Sequence, residues 1–575
     1  MLEKLANRPC LELRDVCIFA TFVFSVKLNF MTKRAIIHVE NKENLLEFAE
    51  YLSSAGWTIL SANKTEELLK KAKIPVIREQ ALVENNLYVN DTSQLIRRIL
   101  MSKYEQKDDI ITPDHEENNI FIICLNFTPE MNITLPSRTS TQIRPSNYYI
   151  TSVLRNSFAN YENVLILTDP ADYKEAMVQL KTDNVSKEFR TYLAGKALNL
   201  VSAYDAGLAA SILQNQQYGV QFMNYLMYPF KRSLQLHTGA NSQQSGYLYK
   251  SPNQAGALNG FVKLQGRELN YNTTSDISFA WERICALYSI LKNQYTVKST
   301  NCDGYDFTTQ FTPLTGTVFT IAVKFETIIG AALSTNVVDS FKNTYSYDTD
   351  NITDVVLACS AVIDANAAQE IIKGSFSALV APSFTADAKQ ILSLNKNIRL
   401  IPSAKITNIT LSGKMIHGGI LLQTRDSELF EHWHVRTKNR PSQFKTDEMA
   451  FGMLLVMGAR SYSAVLLKNN AITGIAQGSS SVNRALNVVY ENAKLQLDHL
   501  KNNSENEDSN LGDSLGDVLI TDSSIPFDEP IKKLCDAGIT AIIQTGGTPS
   551  DNEFINYCDE RGIVMVFTGM THISF

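Results

Sequence analysis

The chain has 575 residues, 44% of them hydrophobic and 19% charged, which suits a folded globular chain and excludes a mainly disordered, collagen-like or coiled-coil protein. At roughly 150 residues per domain, the length predicts about three to four domains. Lys+Arg is 53 against Asp+Glu 59, a formal net charge of −6. No global field for gripping nucleic acid or an anionic membrane follows from that balance, while a local basic pocket for a phosphorylated small molecule stays open.

Residues 1–30 read as an upstream extension. The apolar run Val16–Phe24 falls short of the roughly 20 residues that span a bilayer. Glu3, Glu12, Arg14 and Asp15 before it are wrong for the start of a signal peptide, the competing reading. Met31 precedes a strand-like run, Ala35–Val39. Asn44–Leu52 carries apolar residues at helical spacing, Trp57–Leu60 predicts a second strand and Thr65–Ala72 a second helix. Ile120–Cys124 and the centre of Asn163–Thr168 are wholly apolar, as the buried centre of a parallel sheet requires. The polar stretches 103–118 and 128–147 predict loops. A long helix is expected over Ser186–Gln217, with a domain boundary near 225–235.

Residues 238–260, rich in Gly, Ser, Asn and Gln, predict a loop. Beyond it the alternation resumes, with strands expected at Thr317–Val323, Val355–Cys359, Ala378–Ala381, Ala464–Leu467 and Val518–Thr521. The polar insertion 498–516 predicts a surface loop. The chain ends in a helix over Glu529–Ala537, a strand over Ile539–Ile543, a turn at Thr545–Thr548, a helix from Pro549 or Ser550, and a strand over Ile563–Phe567. Strands alternating with helices predict α/β doubly wound architecture.

Eight cysteines (Cys10, Cys17, Cys124, Cys285, Cys302, Cys359, Cys535, Cys558) lie scattered without a CxxC pair. They are expected to be buried reduced thiols of a cytoplasmic protein, and no zinc-finger or deaminase metal spacing exists. Two Gly-rich turns between strand and helix, Gln544–Asp551 and Gly474–Ser481, could cradle an anion on free backbone N–H groups or simply be tight turns; Gly413–Gly419 is a weaker case. His432 and His434 share one face if extended, with Glu428 and Glu431 near; solvated polar residues are favoured there over a metal site. His417 and His572 could serve as acid or base.

Several segments in order resemble the AICAR formyltransferase/IMP cyclohydrolase family of purine biosynthesis. Leu264-Gln-Gly-Arg-Glu-Leu-Asn-Tyr-Asn272 with Asp276 and Ala280-Trp281 looks like the family's LQGKELSYNN…D…AW. Ala537–Gly547 is similar to AGITAIIQPGG, and Val566–Met570 to VFTGM. Thr168–Tyr173, Ala203–Ala206, Ala381–Ser383 and Gly418–Gln423 fit as well. The resemblance implies a methylglyoxal-synthase-like domain (31–230) with a cyclohydrolase-type site, then a formyltransferase-like domain (231–575) of two tandem cytidine-deaminase-like α/β/α subdomains without zinc. It also implies formyl transfer from the co-substrate 10-formyltetrahydrofolate to AICAR, ring closure to IMP, no covalently bound cofactor, and a cytoplasmic homodimer with transferase sites at its interface. Nucleic acid and membrane are not expected partners.

The same resemblance places replacements at the chemical positions. The Lys-His pair of KHxxPxG falls on Thr309 and Gln310. In the RYGENPHQ loop, Arg and Tyr fall on His237 and Thr238, while Gly239 and Asn241 persist. The SNA Asn falls on Tyr462, the base-packing aromatic on Ser524, and an Arg near the C-terminus on Thr571. The STGGT phosphate loop reads Ser61-Ala-Asn-Lys-Thr65, and further cyclohydrolase positions fall on Phe127, Asn147 and Ala159. Substrate-binding candidates are Gly239, Asn241, Asn272, Asp276, Gly474, Gly478, Asp522, Pro526 and His572, with Lys64, Lys231, Arg232 and His237 as replacement charges. Three readings remain: a divergent enzyme of both reactions, an inactive homologue serving as scaffold or regulatory partner, and a protein for a different phosphorylated or folate-like ligand.

Overall fold

The computed structural model describes residues 33–78, 120–128, 148–214, 224–250, 262–291, 295–313, 316–345, 353–404, 411–503 and 514–575. The expectations for 1–30, 103–118 and most of 128–147 lie outside them. The chain divides into two compact units between Phe230 and Lys231.

In the first unit β1 (Arg34–Val39), β2 (Thr58–Ser61), β3 (Ile77–Arg78), β4 (Ile120–Asn126) and β5 (Leu165–Leu167) form a five-stranded sheet. Its order is β3-β2-β1-β4-β5, every pair parallel. Alternate residues of a strand face opposite sides, so β1 feeds two cores. Ala35, Ile37 and Val39 pack with Leu45, Phe48 and Leu52 of the helix Leu45–Ser54. Ile36 packs with Val153 and Leu154 of the helix Tyr148–Ala159 and with Ala197 and Val201 of the helix Lys187–Gln214. Each fully buried Ile or Leu contributes about 1.5–3 kcal/mol.

The second unit opens with a two-stranded ribbon, β6 (Lys231–Leu236) and β7 (Gly246–Lys250). The expected loop over 238–260 therefore contains a strand. Tyr247 and Tyr249 alternate with half-buried neighbours there, a period-2 signal hidden among turn-forming residues. After the helix Tyr271–Leu291 come β8 (Thr296–Thr300), β9 (Asp306–Gln310), β10 (Val318–Lys324), β11 (Thr327–Ser334), β12 (Thr353–Cys359), β13 (Ser375–Ala381) and β14 (Arg399–Pro402). Then follow the ribbon β15 (Leu411–Ile416) and β16 (Gly419–Thr424), β17 (Trp433–Val435), β18 (Ala464–Lys468), β19 (Ala471–Ala476), β20 (Val518–Thr521), β21 (Ala541–Gln544) and β22 (Val564–Phe567). The main sheet has thirteen strands, ordered β14-β13-β12-β10-β11-β19-β18-β20-β21-β22-β17-β8-β9.

That order is a repeat. A helix, an antiparallel hairpin, another helix and three parallel strands joined by helices occur first as β10–β14 and again as β18–β22. The two copies meet where β11 pairs with β19 at Ala332 and Ala471. Both hairpins bulge at one place, between Ala322 and Val323 and between Leu466 and Leu467. Both turn through two left-handed residues, Phe325 and Glu326 in one, Asn469 and Asn470 in the other. A carboxylate on the preceding helix clamps each turn. Asp276 accepts the N–H groups of Phe325 and Glu326 at 3.0 and 2.6 Å. Glu448, on the helix Gln443–Gly458, accepts that of Asn470 at 2.8 Å. A glycine lies under the following helix in each copy. A Cβ on Gly330 would sit 2.4 Å from the carbonyl of Thr344, and one on Gly474 would sit 2.7 Å from that of Val489.

The helix Val482–Asn503 runs on through 498–503, where a loop was expected. Asp498, His499 and Lys501 are exposed there, and the solvent face of an amphipathic helix is polar. Among the described cysteines Cys302 is exposed, against expectation, and Cys124, Cys285, Cys359, Cys535 and Cys558 are buried. Cys302 lies in the turn between β8 and β9, outside any apolar run.

Two left-handed non-glycine residues cost about 1–3 kcal/mol each. Asp276→Ala is therefore expected to lower the unfolding free energy by roughly 2–4 kcal/mol in urea titration. In a Phe325→Asn/Glu326→Gly background, where the turn adopts its conformation readily, the same change should cost distinctly less. Gly474→Ala should destabilise by roughly 1–3 kcal/mol. Gly195→Ala, with nothing within 4 Å of the added carbon, should be neutral or mildly stabilising.

Candidate functional site

Strand β9 brings Thr309 and Gln310 to the end of the main sheet, paired among the described strands with β8 alone. Thr309 is buried. Its hydroxyl accepts from Ser299 Oγ at 2.6 Å, and its N–H donates to the same oxygen at 3.1 Å. Gln310 is exposed, and its carbonyl accepts from Gln443 Nε2 at 3.0 Å. Both line a cavity of about 310 Å³ with Phe307, Arg440 and Trp433, and the Arg440 guanidinium lies 5.5 Å over the Phe307 ring. Neither position supplies an imidazole or an ammonium group.

The remaining candidates are spread over the second unit. Gly239, Asn241 and Asn272 belong to a turn closed on itself. The Gly239 N–H donates to the Gln244 carbonyl at 2.6 Å, Asn241 reaches Gln244 Oε1 through its backbone N–H at 3.0 Å, and Asn272 Nδ2 donates to the Ala240 carbonyl at 3.0 Å. His237 Nδ1 sits 3.2 Å from Glu268 Oε2, and Arg232 stacks over Tyr247. Asp276 is the turn clamp described above; burial pushes its carboxyl up despite the two N–H donors.

The Gly474–Ser481 turn has little left for an anion. Gly474 is the packing glycine of the second repeat. Gly478 has φ +64° and donates its N–H to the Arg460 carbonyl at 2.8 Å, while Ser479 and Tyr462 exchange backbone hydrogen bonds at 3.1 Å each way. In the Gln544–Asp551 turn the chain supplies its own carboxylate: Asp551 accepts the Gly547 N–H at 2.7 Å and the Thr548 hydroxyl. Ser524 Oγ donates to the Gly546 carbonyl at 2.5 Å.

Asp522 is buried and accepts Ser463 N–H and Oγ, each at 2.9 Å; burial raises its carboxyl. Pro526 precedes Phe527, which stacks on Phe554 at 5.1 Å. His572 is buried, its Nδ1 2.6 Å from Asp426 Oδ2 and its Nε2 3.1 Å from the Leu429 carbonyl. Thus the structure joins Thr309 with Gln310 and Gly239 with Asn241 and Asn272. Most other candidates it uses, one by one, as packing or hydrogen-bonding parts.

In the first unit, Ser61 Oγ donates to the Ile37 carbonyl at 2.6 Å and Thr65 Oγ1 to that of Val39 at 3.1 Å. Glu66, next in chain, is buried; Lys70 at 2.6 Å and Arg78 at 3.1 Å hold its carboxyl below the ordinary range. Phe127 packs edge-on against Tyr204, and Asn147 lies outside the described residues. His432 and His434 stack with centroids 4.9 Å apart. No group of three or more His, Cys, Asp or Glu among the described residues could hold a metal ion, and no described helix is long and apolar enough to cross a membrane. The reading by residue type missed Glu448 and Gln477. Gln477 clasps both backbone polar groups of Ile328, at 3.2 and 2.9 Å, across the repeat junction.

This is a mixed α/β protein whose second unit is built on a duplicated hairpin-and-βαβ frame. The model of the AICARFT/IMPCHase bienzyme family matches residues 158–491, more than half of the chain, and the chain belongs to that family. It is 29% identical over 561 residues to the bifunctional purine biosynthesis protein PurH of Clostridium acetobutylicum, covering 95% of this chain and all of that one. It is 27% identical over 554 residues to PurH of Petrotoga mobilis, again covering 95% and all. A solved structure titled as the crystal structure of ForH aligns with 32% of this chain and 99% of its own, at 23% identity and TM-score 0.27. At such identities the chain is a divergent member.

Burial, then His432 and Arg436, lower the pKa of His434, with Asp306 opposing. The folded state thus resists a proton that the unfolded chain accepts from about pH 6.5 downward. Stability is expected to fall as pH drops from about 6.5 through the lowered value. His434→Gln should show a shallower decline in melting temperature over that window.

Proposed function

We propose that this chain is a family member that has kept the scaffold and lost the transferase chemistry, acting as a scaffold or regulatory partner. One observation carries the reading. The positions on which the resemblance places the family's Lys-His pair are a buried threonine bonded to Ser299 and an exposed glutamine. Removing one acid–base or charge-stabilising group costs about 10²–10⁴ in rate, and here both are replaced. The closed Gly239–Gln244 turn and the self-occupied Gln544–Asp551 turn support the same reading.

The five-stranded parallel sheet supports a methylglyoxal-synthase-like domain over 31–230. The duplicated frame supports two cytidine-deaminase-like subdomains over 231–575. Exposed Met415 and Leu421 on the β15–β16 ribbon support a homodimer. Full-length likeness to bifunctional relatives favours the alternative reading, a divergent enzyme that takes AICAR and 10-formyltetrahydrofolate. We place the chain in the cytoplasm on its free cysteines.

The test mixes purified chain with AICAR and 10-formyltetrahydrofolate and follows tetrahydrofolate release beside a relative carrying the Lys-His pair. Turnover at least about 10³-fold below that relative is expected. Comparable turnover overturns the reading.

A further inference from the structure

A second cavity, of about 230 Å³, lies in the first unit, where the strands of the parallel sheet begin. Lys33 precedes β1, Trp57 precedes β2, and Leu165 opens β5. Leu180 and Asp183 come from the end of the helix Tyr173–Lys181 and the turn after it, and Arg190 from the first turn of the helix Lys187–Gln214. The Ser61–Thr65 stretch follows β2 and belongs to the opposite edge, so this cavity is separate from any cyclohydrolase-type site.

Its walls are mainly apolar, but its charges do not cancel. Lys33 Nζ lies 3.0 Å from Asp183 Oδ1 and 5.8 Å over the Trp57 ring. The Arg190 guanidinium has neither a hydrogen bond nor an ion pair among the described residues, and its Nη1 is shut off from water. Burial alone lowers its pKa. An arginine that merely covers apolar surface carries its head out to solvent; this one holds part of it inside. An unpaired, partly desolvated cation is costly, and an entering carboxylate relieves that cost through a charge-assisted pair. The Lys33–Asp183 bridge is exposed on both sides and worth little, so Lys33 is free to turn toward an anion.

We propose that this cavity binds a small organic anion, its carboxylate on Arg190 and its flat apolar body against Trp57 and Leu180. The apolar walls select against a bare inorganic anion, and the volume admits a single substituted ring.

The chain has three tryptophans. Trp281 and Trp433 are 0% and 1% exposed and lie in the second unit, so a ligand-induced change in tryptophan emission reports Trp57. Benzoate is the probe, benzamide its neutral isostere and inorganic phosphate the bare anion, all titrated against the full chain. Benzoate is expected to give a saturable emission change and a raised melting temperature, with benzamide and phosphate at least about tenfold weaker. Arg190→Gln should weaken benzoate binding by about 10–100-fold, and Arg190→Lys by less. Trp57→Phe should remove the emission change and leave the melting shift. The proposal is overturned by absence of saturation, by equal binding of benzoate with benzamide or phosphate, or by unchanged benzoate affinity in both Arg190 variants.

Discussion

The second unit depends on a carboxylate reaching from a helix to a hairpin turn it does not belong to. In the first repeat the turn residues are Phe325 and Glu326, both left-handed and neither suited to it. Their strain, about 1–3 kcal/mol each, is offset by two hydrogen bonds to one buried Asp276 carboxylate, each worth about 1.5–3 kcal/mol. In the second repeat Asn469 and Asn470 accept the left-handed region at little cost, and one bond to Glu448 suffices. Glu448 is itself fully buried and pairs with Lys445, 3.0 Å away, which also reaches Asp517 at 3.0 Å. Each clamp fixes where a hairpin sits on its helix. That position decides whether Gly330 and Gly474 come to lie under the next helix, where a Cβ would strike backbone.

This arrangement explains why resemblance to the family survives where it does. In the segment Leu264–Trp281, matching residues serve the fold. Gln265 Nε2 donates to the Leu392 carbonyl at 3.1 Å, Asp276 holds the turn, and Trp281, fully buried, donates to the Ala404 carbonyl at 2.8 Å. Thr168–Tyr173 likewise ends in a Tyr173 ring stacked 4.8 Å from Phe48 and bonded to Cys124. These contacts are made within one chain and are needed whether or not a reaction occurs. The resemblance places the family's Lys-His pair on Thr309 and Gln310. Thr309 fits there because a small hydroxyl can pair with Ser299 inside the sheet, an arrangement that a lysine in the same place would break.

The central strands were legible because a parallel sheet buried on both faces demands unbroken apolar runs, as in Ile120–Cys124 and Val164–Leu167. The ribbon strand β7 was not, since two tyrosines among glycine and polar residues give a weak alternation. The repeat left one mark that spacing could have shown. Lys324-Phe-Glu-Thr-Ile-Ile-Gly330 and Lys468-Asn-Asn-Ala-Ile-Thr-Gly474 share Lys, Ile and Gly at the same intervals. The clamps are invisible in sequence for a different reason. Asp276 and its turn are about fifty residues apart, and nothing local to Asp276 separates a turn clamp from a substrate ligand.

The same difficulty explains why the Gly-rich turns looked like anion sites. Free N–H groups at a strand-to-helix turn make a cradle only if nothing in the chain reaches them first. At Gly547 the occupant is Asp551, four residues on, so the helix Asp551–Arg561 carries its own anion at its positive end. At Gly478 the occupant is the Arg460 carbonyl. Arg190 is the reverse case, a cation in a helical stretch that by sequence is only one more polar residue on an amphipathic face. What separates filled from unfilled sites in this molecule is thus the partner that folding delivers, and the residue types alone do not carry that information.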